Sequence, residues 1–383
     1  MSGSYTIALL PGDGIGVEVL GHARRVIEAA AEQDNLALVF DEVPGGAQYF
    51  LAHGRDWPEG AERRCREADA IILGAVGWPT PGGRGTAMRP DGKMAGWSLI
   101  VGNRIGLDLY ANVRPVKLLP GVRHSISGTF KQVWEPENVD IVFLRENTED
   151  LYAGAGGILA PGGEAQVAVD SRIITRRATE RIIRMAFETA MKRPPARDGV
   201  RRVTCVVKDN ILHGCRLFVR ILDEVGERYP EVEREVVLVD AFTQWLVRRP
   251  EHYDVVVAPN MFGDIITELA AALQGGLGLS VGCNVGDTHG MFEPIHGSAP
   301  KHVGRDRVNP MAAILAGAEA LKWLGDRRAD SALGSAGDRI EAAVREVLRQ
   351  GETLTYDLVG PELAASGSAV TDAVVRELKL SSR

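Results

Sequence analysis

Apolar residues follow two patterns along the chain. Short continuous runs rich in β-branched residues alternate with longer segments in which apolar residues recur every three or four positions. Continuous runs are typical of strands covered on both faces, and the longer period is typical of amphipathic helices. The patterns predict strands at 5–10, 37–43, 70–75, 140–145, 203–207, 236–240 and 254–258, and helices at 17–31, 177–191, 211–227, 264–273, 310–324 and 336–349. This alternation predicts an α/β protein with parallel or mixed sheets.

Composition narrows the possible functions. The 383 residues suggest two or three domain-sized units. The net charge of −7 argues against general nucleic-acid binding. The uncharged stretch 269–286 contains five glycines and several polar residues, so we expect a buried helix and a loop rather than a membrane span. Four scattered cysteines without C-x-x-C spacing, and no recognisable signal peptide, predict a cytoplasmic protein.

Glycine-rich segments mark candidate turns and loops. PGDGIG (11–16) follows the first predicted strand, and its glycines allow a tight turn into a helix. The spacing is not the G-x-G-x-x-G of a Rossmann phosphate loop. We favour a structural role for the turn at 11–16, and contact with a ligand is the alternative. The segments 77–97 and 153–163 are long enough to be functional loops or plain surface excursions.

Arginines and acidic residues stand at the ends of predicted elements. Arg104, Arg114 and Arg145 have the planar donors that bind carboxylates in pairs, and together they suit a substrate with two or three carboxylates. Surface salt bridges are the alternative for each arginine taken alone.

Acidic residues follow two strands that are predicted to be buried. Asp240 ends one strand, and Asp264 follows the other with Glu268 one helical turn later. Clustered carboxylates favour a hard cation such as Mg²⁺ or Mn²⁺. The alternative is an acid near a helix N-terminus with a solvated Glu268.

Two residues are candidates for proton transfer. Lys208 directly follows the strand at 203–207, and Tyr152 ends the motif RENTEDLY. A lysine beside a buried strand can have a lowered pKa, although a solvated lysine is the common case. The loop at 286–310 is rich in Gly, His, Ser and Pro, and such a loop can contact a nucleotide.

Six motifs in this order resemble the β-decarboxylating dehydrogenases. They are PGDGIG, RIGLDLYANVRPV, RENTEDLY, VVKDN, RRPEHYDVVVAPNMFGDI and EPIHGSAPKHVGRDRVNP. The family includes isocitrate, homoisocitrate, 3-isopropylmalate and tartrate/malate dehydrogenases, and the motifs are closest to isocitrate-type members. The resemblance spans about residues 5 to 375. It implies metal-dependent oxidative decarboxylation of a 3-substituted malate with NAD(P).

The resemblance also implies a fold and an assembly. The expected fold has two domains with mixed sheets and is not a Rossmann fold. A large cofactor-binding domain would comprise 1–109 and 275–383, and a small domain at 110–274 would supply the dimer interface. The active site would be a cleft between the domains, shared across a homodimer.

Residue roles follow from matching each motif. The substrate would contact Ser98, Arg104, Arg114 and Arg145. Tyr152 and Lys208 would be the acid and base, with Lys208 supplied by the partner subunit. Mg²⁺ or Mn²⁺ would be bound by Asp240, also from the partner subunit, by Asp264 and by Glu268. The cofactor would be bound by His296, Gly297, Ser298, Ala299, Pro300, Lys301, His302, Asn309 and Tyr356.

Some positions depart from the family pattern. Glu268 stands where the family usually has Asp, which leaves direct ligation open. In the specificity segment, Ser98 is kept, while Ile100 replaces an Asn of isocitrate-type enzymes. A polar C3 substituent is therefore expected, without isocitrate being fixed. The preceding loop offers three basic side chains that either bind an anionic distal group or are solvated: Arg84, Arg89 and Lys93.

The choice between NADP and NAD and the choice of substrate class both leave alternatives open. Lys301 and His302 follow HGSAP, where NAD-using members commonly have an acid, and Tyr356 is also typical of NADP-using members. NADP is therefore favoured over NAD, although Gly360 replaces a further arginine of the phosphate pocket. Homoisocitrate or tartrate/malate-type activity is the main alternative. A non-catalytic regulatory subunit is disfavoured, because the expected acid, base and metal-binding aspartates are all present.

Overall fold

The computed structural model describes residues 4–80 and 82–380. In chain order, the strands are β1 (Tyr5–Gly12), β2 (Leu38–Glu42), β3 (Ala70–Ala75), β4 (Ala111–Lys117), β5 (His124–Ile126), β6 (Thr129–Lys131), β7 (Asp140–Glu146), β8 (Gly156–Leu159), β9 (Val167–Asp170), β10 (Arg202–Val207), β11 (Glu233–Leu238), β12 (Val255–Ala258), β13 (Val281–Val285) and β14 (Gly290–Pro294). The α-helices are α1 (Ile15–Gln33), α2 (Ala47–His53), α3 (Ala61–Glu67), α4 (Asn103–Gly106), α5 (Arg176–Lys192), α6 (His213–Gly226), α7 (Val239–Arg248), α8 (Asn260–Leu273), α9 (Met311–Arg328), α10 (Ser331–Gln350), α11 (Tyr356–Val359) and α12 (Gly367–Leu380).

These elements belong to two compact units. Unit 1 contains the described residues of Met1–Leu109, Leu118–Pro136 and Gln274–Arg383, and unit 2 contains Tyr110–Lys117 and Glu137–Leu273. The sequence-based boundaries assign 118–136 to the small domain, whereas the structure places this segment in unit 1.

Packing explains why the segment 118–136 belongs to unit 1. Strand β5 pairs with β6 and also contacts helix α11. At Gly121, where φ is 90°, a Cβ atom would lie 2.2 Å from the carbonyl oxygen of Leu348. Only glycine permits this approach of the turn to helix α10. The two residues are far apart in sequence, so no local pattern indicates the contact.

Unit 1 is built on a mixed sheet. Its described strands have the order β13–β14–β3–β1–β2. β1 is parallel to β2 and β3, β14 is parallel to β3, and β13 is antiparallel to β14. All of β3 and the centre of β1 are buried, as expected for continuous apolar runs. The order differs from the 3-2-1-4-5-6 order of a Rossmann sheet.

Helices pack together and onto the sheet of unit 1. Helix α9 contacts α1 and α10, and it also contacts β3, β13 and β14. In α1, Val19, Val26 and Ile27 share the buried face at the spacing of an amphipathic helix. Helix α12 completes the layer by contacting α1 and α10.

Unit 2 contains a second set of strands in the order β11–β10–β12–β7–β4. β10 is parallel to β11 and β12, β12 is parallel to β7, and β4 is antiparallel to β7. Helix α5 packs on α6 and contacts β7, β10 and β12, whereas α8 contacts β4 and β7. A separate pair, β8 with β9, is exposed along its length.

The predicted α/β class with mixed sheets is confirmed, and two local expectations need correction. Helix α8 begins at Asn260, so Asp264 lies in its body rather than at its N-terminus. Asp240 lies in the first turn of α7 rather than at a strand end, because β11 ends at Leu238. The amphipathic segment after Leu238, which buries Phe242, accounts for this helix. None of the helices in the described ranges combines the length and the apolar character needed to cross a membrane.

Candidate active site

Helix α8 presents two carboxylates beside two buried arginines. Oδ1 of Asp264 accepts hydrogen bonds from Nη1 of Arg145 and, at 3.3 Å, from Nη2 of Arg114. Oε1 of Glu268 lies 3.8 Å from Nη1 of Arg114. Both arginines are almost fully buried, whereas the side chains of Asp264 and Glu268 are 34% and 48% exposed. The cluster therefore has a buried cationic side and an accessible anionic side.

The surrounding elements hold the two arginines in place. Nε of Arg145 donates to Oδ1 of Asn260 at 2.9 Å, and Nη1 of Arg114 donates to Oγ1 of Thr267 at 2.5 Å. At Gly263, a Cβ atom would lie 2.7 Å from Cγ of Arg145, so glycine lets this side chain pass beneath α8. Buried charges need such partners, because an unpaired buried charge is strongly destabilising.

Tyr152 contacts the same aspartate. Its hydroxyl group donates to Oδ2 of Asp264 at 3.1 Å, and the guanidinium of Arg145 lies 5.6 Å from the ring centroid. The residue is 44% exposed. Burial and the neighbouring charge of Asp264 raise the pKa of Tyr152. The hydroxyl therefore keeps its proton at neutral pH, as a proton donor requires.

Asp150 fixes the loop that contains Tyr152. This fully buried carboxylate accepts hydrogen bonds from Nε of Arg172 at 2.5 Å and from the backbone N–H of Met261 at 3.0 Å. The second bond ties the loop to the start of helix α8, close to Asp264. The φ of Asp150 is 72°, which non-glycine residues rarely adopt. Sequence reasoning missed this residue, although it lies within RENTEDLY.

Lys208 and Asp240 form a second pair in unit 2. Nζ of Lys208 donates to Oδ1 of Asp240 at 2.7 Å, and this hydrogen bond lowers the pKa of the aspartate. The residues follow the parallel strands β10 and β11, so both lie at the same edge of the sheet. The side chain of Asp240 is 66% exposed and that of Lys208 is 25% exposed.

The three carboxylates predicted to bind a metal do not form one ligand set within a single chain. Within residues 4–80 and 82–380, the one group of three or more His, Cys, Asp or Glu side chains arranged to hold an ion lies in unit 1. Asp264 and Glu268 nevertheless fit one side of a metal site. Burial and the charge of Asp264 raise the pKa of Glu268, and a divalent cation would relieve this repulsion. Their all-oxygen donors suit Mg²⁺ or Mn²⁺.

In unit 1, Arg104 is paired with Glu293. Nη2 of Arg104 donates to Oε1 of Glu293 at 2.9 Å, and Nδ2 of Asn284 donates to the same oxygen at 2.8 Å. The side chains of Arg104 and Glu293 are 12% and 9% exposed. Nε of Arg104 is buried and has no acceptor. The guanidinium thus keeps a donor for an anionic ligand, and sequence reasoning missed its distant partner Glu293.

Ser98 begins a short π-helical turn and is held by Asp56. The hydroxyl and the backbone N–H of Ser98 donate to Oδ2 of Asp56 at 2.7 and 2.9 Å. Nη1 of Arg89 donates to the same oxygen at 2.9 Å. With Trp57, these residues line a cavity of about 370 Å³. Because the Ser98 hydroxyl already donates its hydrogen bond to Asp56, it offers only lone pairs to a ligand in this cavity.

The basic loop before Ser98 is partly paired within unit 1. Nη2 of Arg89 donates to Oδ2 of Asp91 at 2.9 Å, and Nζ of Lys93 lies 4.0 Å from the ring centroid of Trp97. Arg84 is exposed. Arg89 and Lys93 therefore have partners that an anionic substrate group would have to replace.

The glycine turn after β1 contacts the predicted cofactor loop. At Gly14, where φ is 59°, a Cβ atom would lie 2.2 Å from the carbonyl oxygen of Ser298. That oxygen accepts a hydrogen bond from the backbone N–H of Ile15 at 3.0 Å. The hydroxyl of Ser298 donates to the carbonyl of Gly77. This glycine turn thus has a structural role, since it allows two backbone segments to approach closely.

Basic side chains lie around His302, which is itself next to Tyr356. The guanidinium of Arg307 lies 4.4 Å from the centroid of the Tyr356 ring, and Nε2 of His302 lies 3.5 Å from the hydroxyl oxygen. Burial lowers the pKa of His302, and the charges of Arg307, Arg305 and Lys301 lower that pKa further. The region therefore attracts anions. Sequence reasoning missed Arg305 and Arg307, because nothing local shows that Arg307 lies over the ring of Tyr356 or that both charges act on His302.

The remaining residues predicted to bind the cofactor lie nearby in unit 1. Nδ2 of Asn309 donates to Oδ2 of Asp357 at 3.0 Å, and its Oδ1 accepts from the backbone N–H of Met311 at 3.0 Å. Nδ1 of His296 donates to the Gly297 carbonyl at 3.1 Å, while its buried Nε2 has no partner. Ala299 has a φ of 39°, and Pro300–His302 forms a short helical turn. His296 Nε2 is thus a polar atom available to a ligand.

The chain is similar to known dehydrogenases over nearly its whole length. The sequence model of the family described as isocitrate/isopropylmalate dehydrogenase matches residues 6–374. The 3-isopropylmalate dehydrogenase of Thermobifida fusca (strain YX) is 40% identical over 348 residues, covering 90% of this chain and 91% of that protein. The D-malate dehydrogenase (decarboxylating) of Escherichia coli (strain K12) is 36% identical, covering 98% of this chain and 99% of that protein. The crystal structure of isocitrate dehydrogenase from Methylococcus capsulatus has 34% identity and a TM-score of 0.82, covering 98% of this chain and 99% of that chain.

Proposed function

The chain belongs to the isocitrate/isopropylmalate dehydrogenase family, and we propose that it oxidises and decarboxylates a 3-substituted malate with a polar or anionic C3 group, isocitrate being the first candidate. It is a decarboxylating dehydrogenase that acts on a CH–OH group. The observation that most supports the proposal is the cluster on α8, where two buried arginines and Tyr152 converge on Asp264. This cluster combines carboxylate binding with a proton donor.

Different residues of the chain bind the substrate and transfer the protons in the proposed reaction. Asp264 and Glu268 would hold a divalent cation, which would stabilise negative charge at the C2 oxygen, and a nicotinamide cofactor would supply the hydride acceptor. Arg114 and Arg145 bind the substrate carboxylates and orient C2 and C3. Lys208 takes the proton of the C2 hydroxyl, directly or through water. When CO₂ leaves, the electrons of the broken C3–carboxylate bond form the C2=C3 double bond of an enolate, and Tyr152 donates a proton to C3, which restores the C2 carbonyl.

We propose a homodimer in which each active site uses both chains. Lys208 and Asp240 are paired and accessible in unit 2, and Asp240 does not join Asp264 in one ligand set within one chain. In a dimer, this pair can supply the base and the third carboxylate to the partner's cluster. Mixing Tyr152→Phe chains with Lys208→Ala chains tests the arrangement, because each mixed dimer regains one complete site. Activity should appear only on mixing, and no recovery in verified mixed dimers would contradict sharing.

We propose that unit 1 binds the cofactor and that NADP is preferred over NAD. The support is Arg307, whose guanidinium lies over the ring of Tyr356, together with His302, whose pKa is lowered by burial and by the charges of Arg307, Arg305 and Lys301. Such a group favours the dianionic 2′-phosphate that distinguishes NADP. Gly360 stands where NADP-using members have a further arginine, and Arg307 supplies a guanidinium near Tyr356 instead. We also propose a cytoplasmic setting, which suits four buried free thiols.

One observation favours a second candidate, the tartrate/malate type. Since the Ser98 hydroxyl donates to Asp56, it cannot donate to a carboxylate carried by the C3 substituent unless its hydrogen bond to Asp56 breaks. A hydroxyl substituent, as in tartrate, can instead donate to Ser98. Of Ser98, Asp56 and Arg89, only Arg89 attracts an anionic substituent, and its guanidinium is also bound to Asp56.

Steady-state assays on a panel of substrates test the proposed function. The panel comprises isocitrate, homoisocitrate, 3-isopropylmalate, tartrate and malate, each with NAD and NADP and with Mg²⁺. We expect the highest kcat/KM with a polar C3 substituent and with NADP. Preference for 3-isopropylmalate over every polar substrate would contradict the interpretation of Ser98, and inactivity on all five would contradict the proposed substrate class.

A further inference from the structure

Helix α1 and the loop before α9 bring one histidine and two carboxylates together within unit 1. Glu18 and His22 are four residues apart and lie on the same face of α1. Asp306 approaches them from the loop. One potential ligand atom from each of the three side chains lies within 4.8 Å of the other two. None of these residues has a role in the proposed dehydrogenase reaction.

One of the three side chains is almost fully buried, and another has a buried oxygen atom without a hydrogen-bond donor. His22 is only 8% exposed, and its Nε2 faces Oδ1 of Asp306 at 3.8 Å, which is too long for a hydrogen bond. Oε1 of Glu18 is buried and has no donor. Buried polar atoms nearly always have partners, so the unpartnered Oε1 of Glu18, within this group, indicates a missing partner.

The charges of the group favour a cation as that partner. Burial and the charge of Asp306 raise the pKa of Glu18, so the two carboxylates repel each other. Burial lowers the pKa of His22, which leaves its imidazole uncharged at neutral pH with a lone pair available. A bound cation would relieve the repulsion, would give Oε1 of Glu18 a partner and would accept the lone pair of the His22 imidazole.

We propose that Glu18, His22 and Asp306 bind a divalent transition-metal ion, with Zn²⁺ as the best match. One imidazole nitrogen and two carboxylate oxygens suit Zn²⁺, at bond lengths of about 2.0–2.2 Å, with water completing the coordination. Mg²⁺ prefers oxygen ligands alone, so this site differs in chemistry from the one on α8. The three side chains must close towards the ion, which the half-exposed Glu18 and Asp306 permit. The ion would join α1 to the loop that contains Arg305 and Arg307.

Zinc titration of the full chain by isothermal calorimetry tests the proposal. Excess Mg²⁺ is present throughout, so that the all-oxygen site on α8 is occupied. We expect wild type to bind Zn²⁺, and His22→Gln and Glu18→Gln each to weaken binding by about 10-fold or more. Two controls should bind zinc as wild type does: His53→Gln removes an exposed histidine of unit 1, and Asp264→Asn alters the α8 site.

Each of the other outcomes overturns the proposal. Wild type that binds no zinc lacks the site. Equal affinity in wild type, His22→Gln and Glu18→Gln means that other ligands hold the ion. Weakened binding in Asp264→Asn with normal binding in Glu18→Gln places the zinc on α8. Circular dichroism checks folding, and if His22→Gln unfolds, the zinc affinity of Glu18→Gln decides, since that position is half-exposed and the side chain keeps nearly the same size.

Discussion

Replacing Tyr152 with phenylalanine removes one oxygen atom and leaves the ring in place. The lost hydroxyl donates to Oδ2 of Asp264 at 3.1 Å, while Arg114 and Arg145 still donate to Oδ1. Asp264 is 34% exposed, so water can take the place of the hydroxyl. We therefore expect the free energy of unfolding to fall by no more than about 0.5–1.5 kcal/mol, the net contribution of one hydrogen bond.

The same substitution should affect catalysis far more strongly. If Tyr152 donates the proton to C3, its loss should lower kcat by about 10²–10⁴-fold. At 1.36 kcal/mol for each tenfold change, this is about 3–5 kcal/mol of activation free energy, which exceeds the effect on stability. KM should change little, because the arginines bind the substrate carboxylates. The raised pKa of Tyr152 also predicts no loss of activity through its ionisation below about pH 10.

Initial rates of nicotinamide reduction and urea unfolding measure the two effects on the same preparations. Tyr229→Phe is a matched control in unit 2, since Tyr229 stacks on Phe187 at 5.1 Å between ring centroids. That variant should keep the wild-type kcat. Wild-type kcat in Tyr152→Phe, or an equal fall in both variants, would refute the assignment of Tyr152 as the proton donor.

Three further predictions concern the metal and the cofactor. Excess chelator should abolish turnover and added Mg²⁺ or Mn²⁺ should restore it, whereas full activity in chelator would exclude the metal site. Lys301→Asp should lower the NADP preference by about 10–100-fold, and a wild-type preference for NAD above tenfold would contradict the interpretation of Lys301. The pKa of Glu268 is raised, so falling pH should protonate it, and weaken Mg²⁺ binding, at a higher pH than for an ordinary glutamate. Mg²⁺ titrations of Glu268→Gln should lack this step, and an unchanged pH profile would exclude Glu268 from the site.

Sequence patterns predict the strands best where burial is complete. β3 and β10 are continuous apolar runs, and both are buried along their whole length. β13 and β14 are missed, because polar residues interrupt their short sequences. Inside the sheet, Nδ2 of Asn284 is satisfied by Glu293 at 2.8 Å, a pairing that only the antiparallel register creates. Periodicity alone does not reveal such a compensated polar pair.

Among the candidate site residues, relations between neighbours in sequence are predicted, and contacts between distant residues are not. Asp264 and Glu268 are predicted to share a helix face, because a spacing of four residues places them one turn apart. Local sequence does not show that the hydroxyl of Ser98 donates to Asp56, or that Arg307 lies over Tyr356. These contacts join residues that are distant in sequence, and tertiary packing alone determines them.

Product stoichiometry tests the decarboxylating dehydrogenase account most directly. The preferred substrate of the panel, labelled in the carboxylate attached to C3, is turned over by the purified chain with Mg²⁺ and NAD(P). We expect labelled CO₂ and reduced nicotinamide to appear in equal amounts and at the same rate. Reduced nicotinamide without CO₂ would contradict decarboxylation, and CO₂ without reduced nicotinamide would contradict hydride transfer.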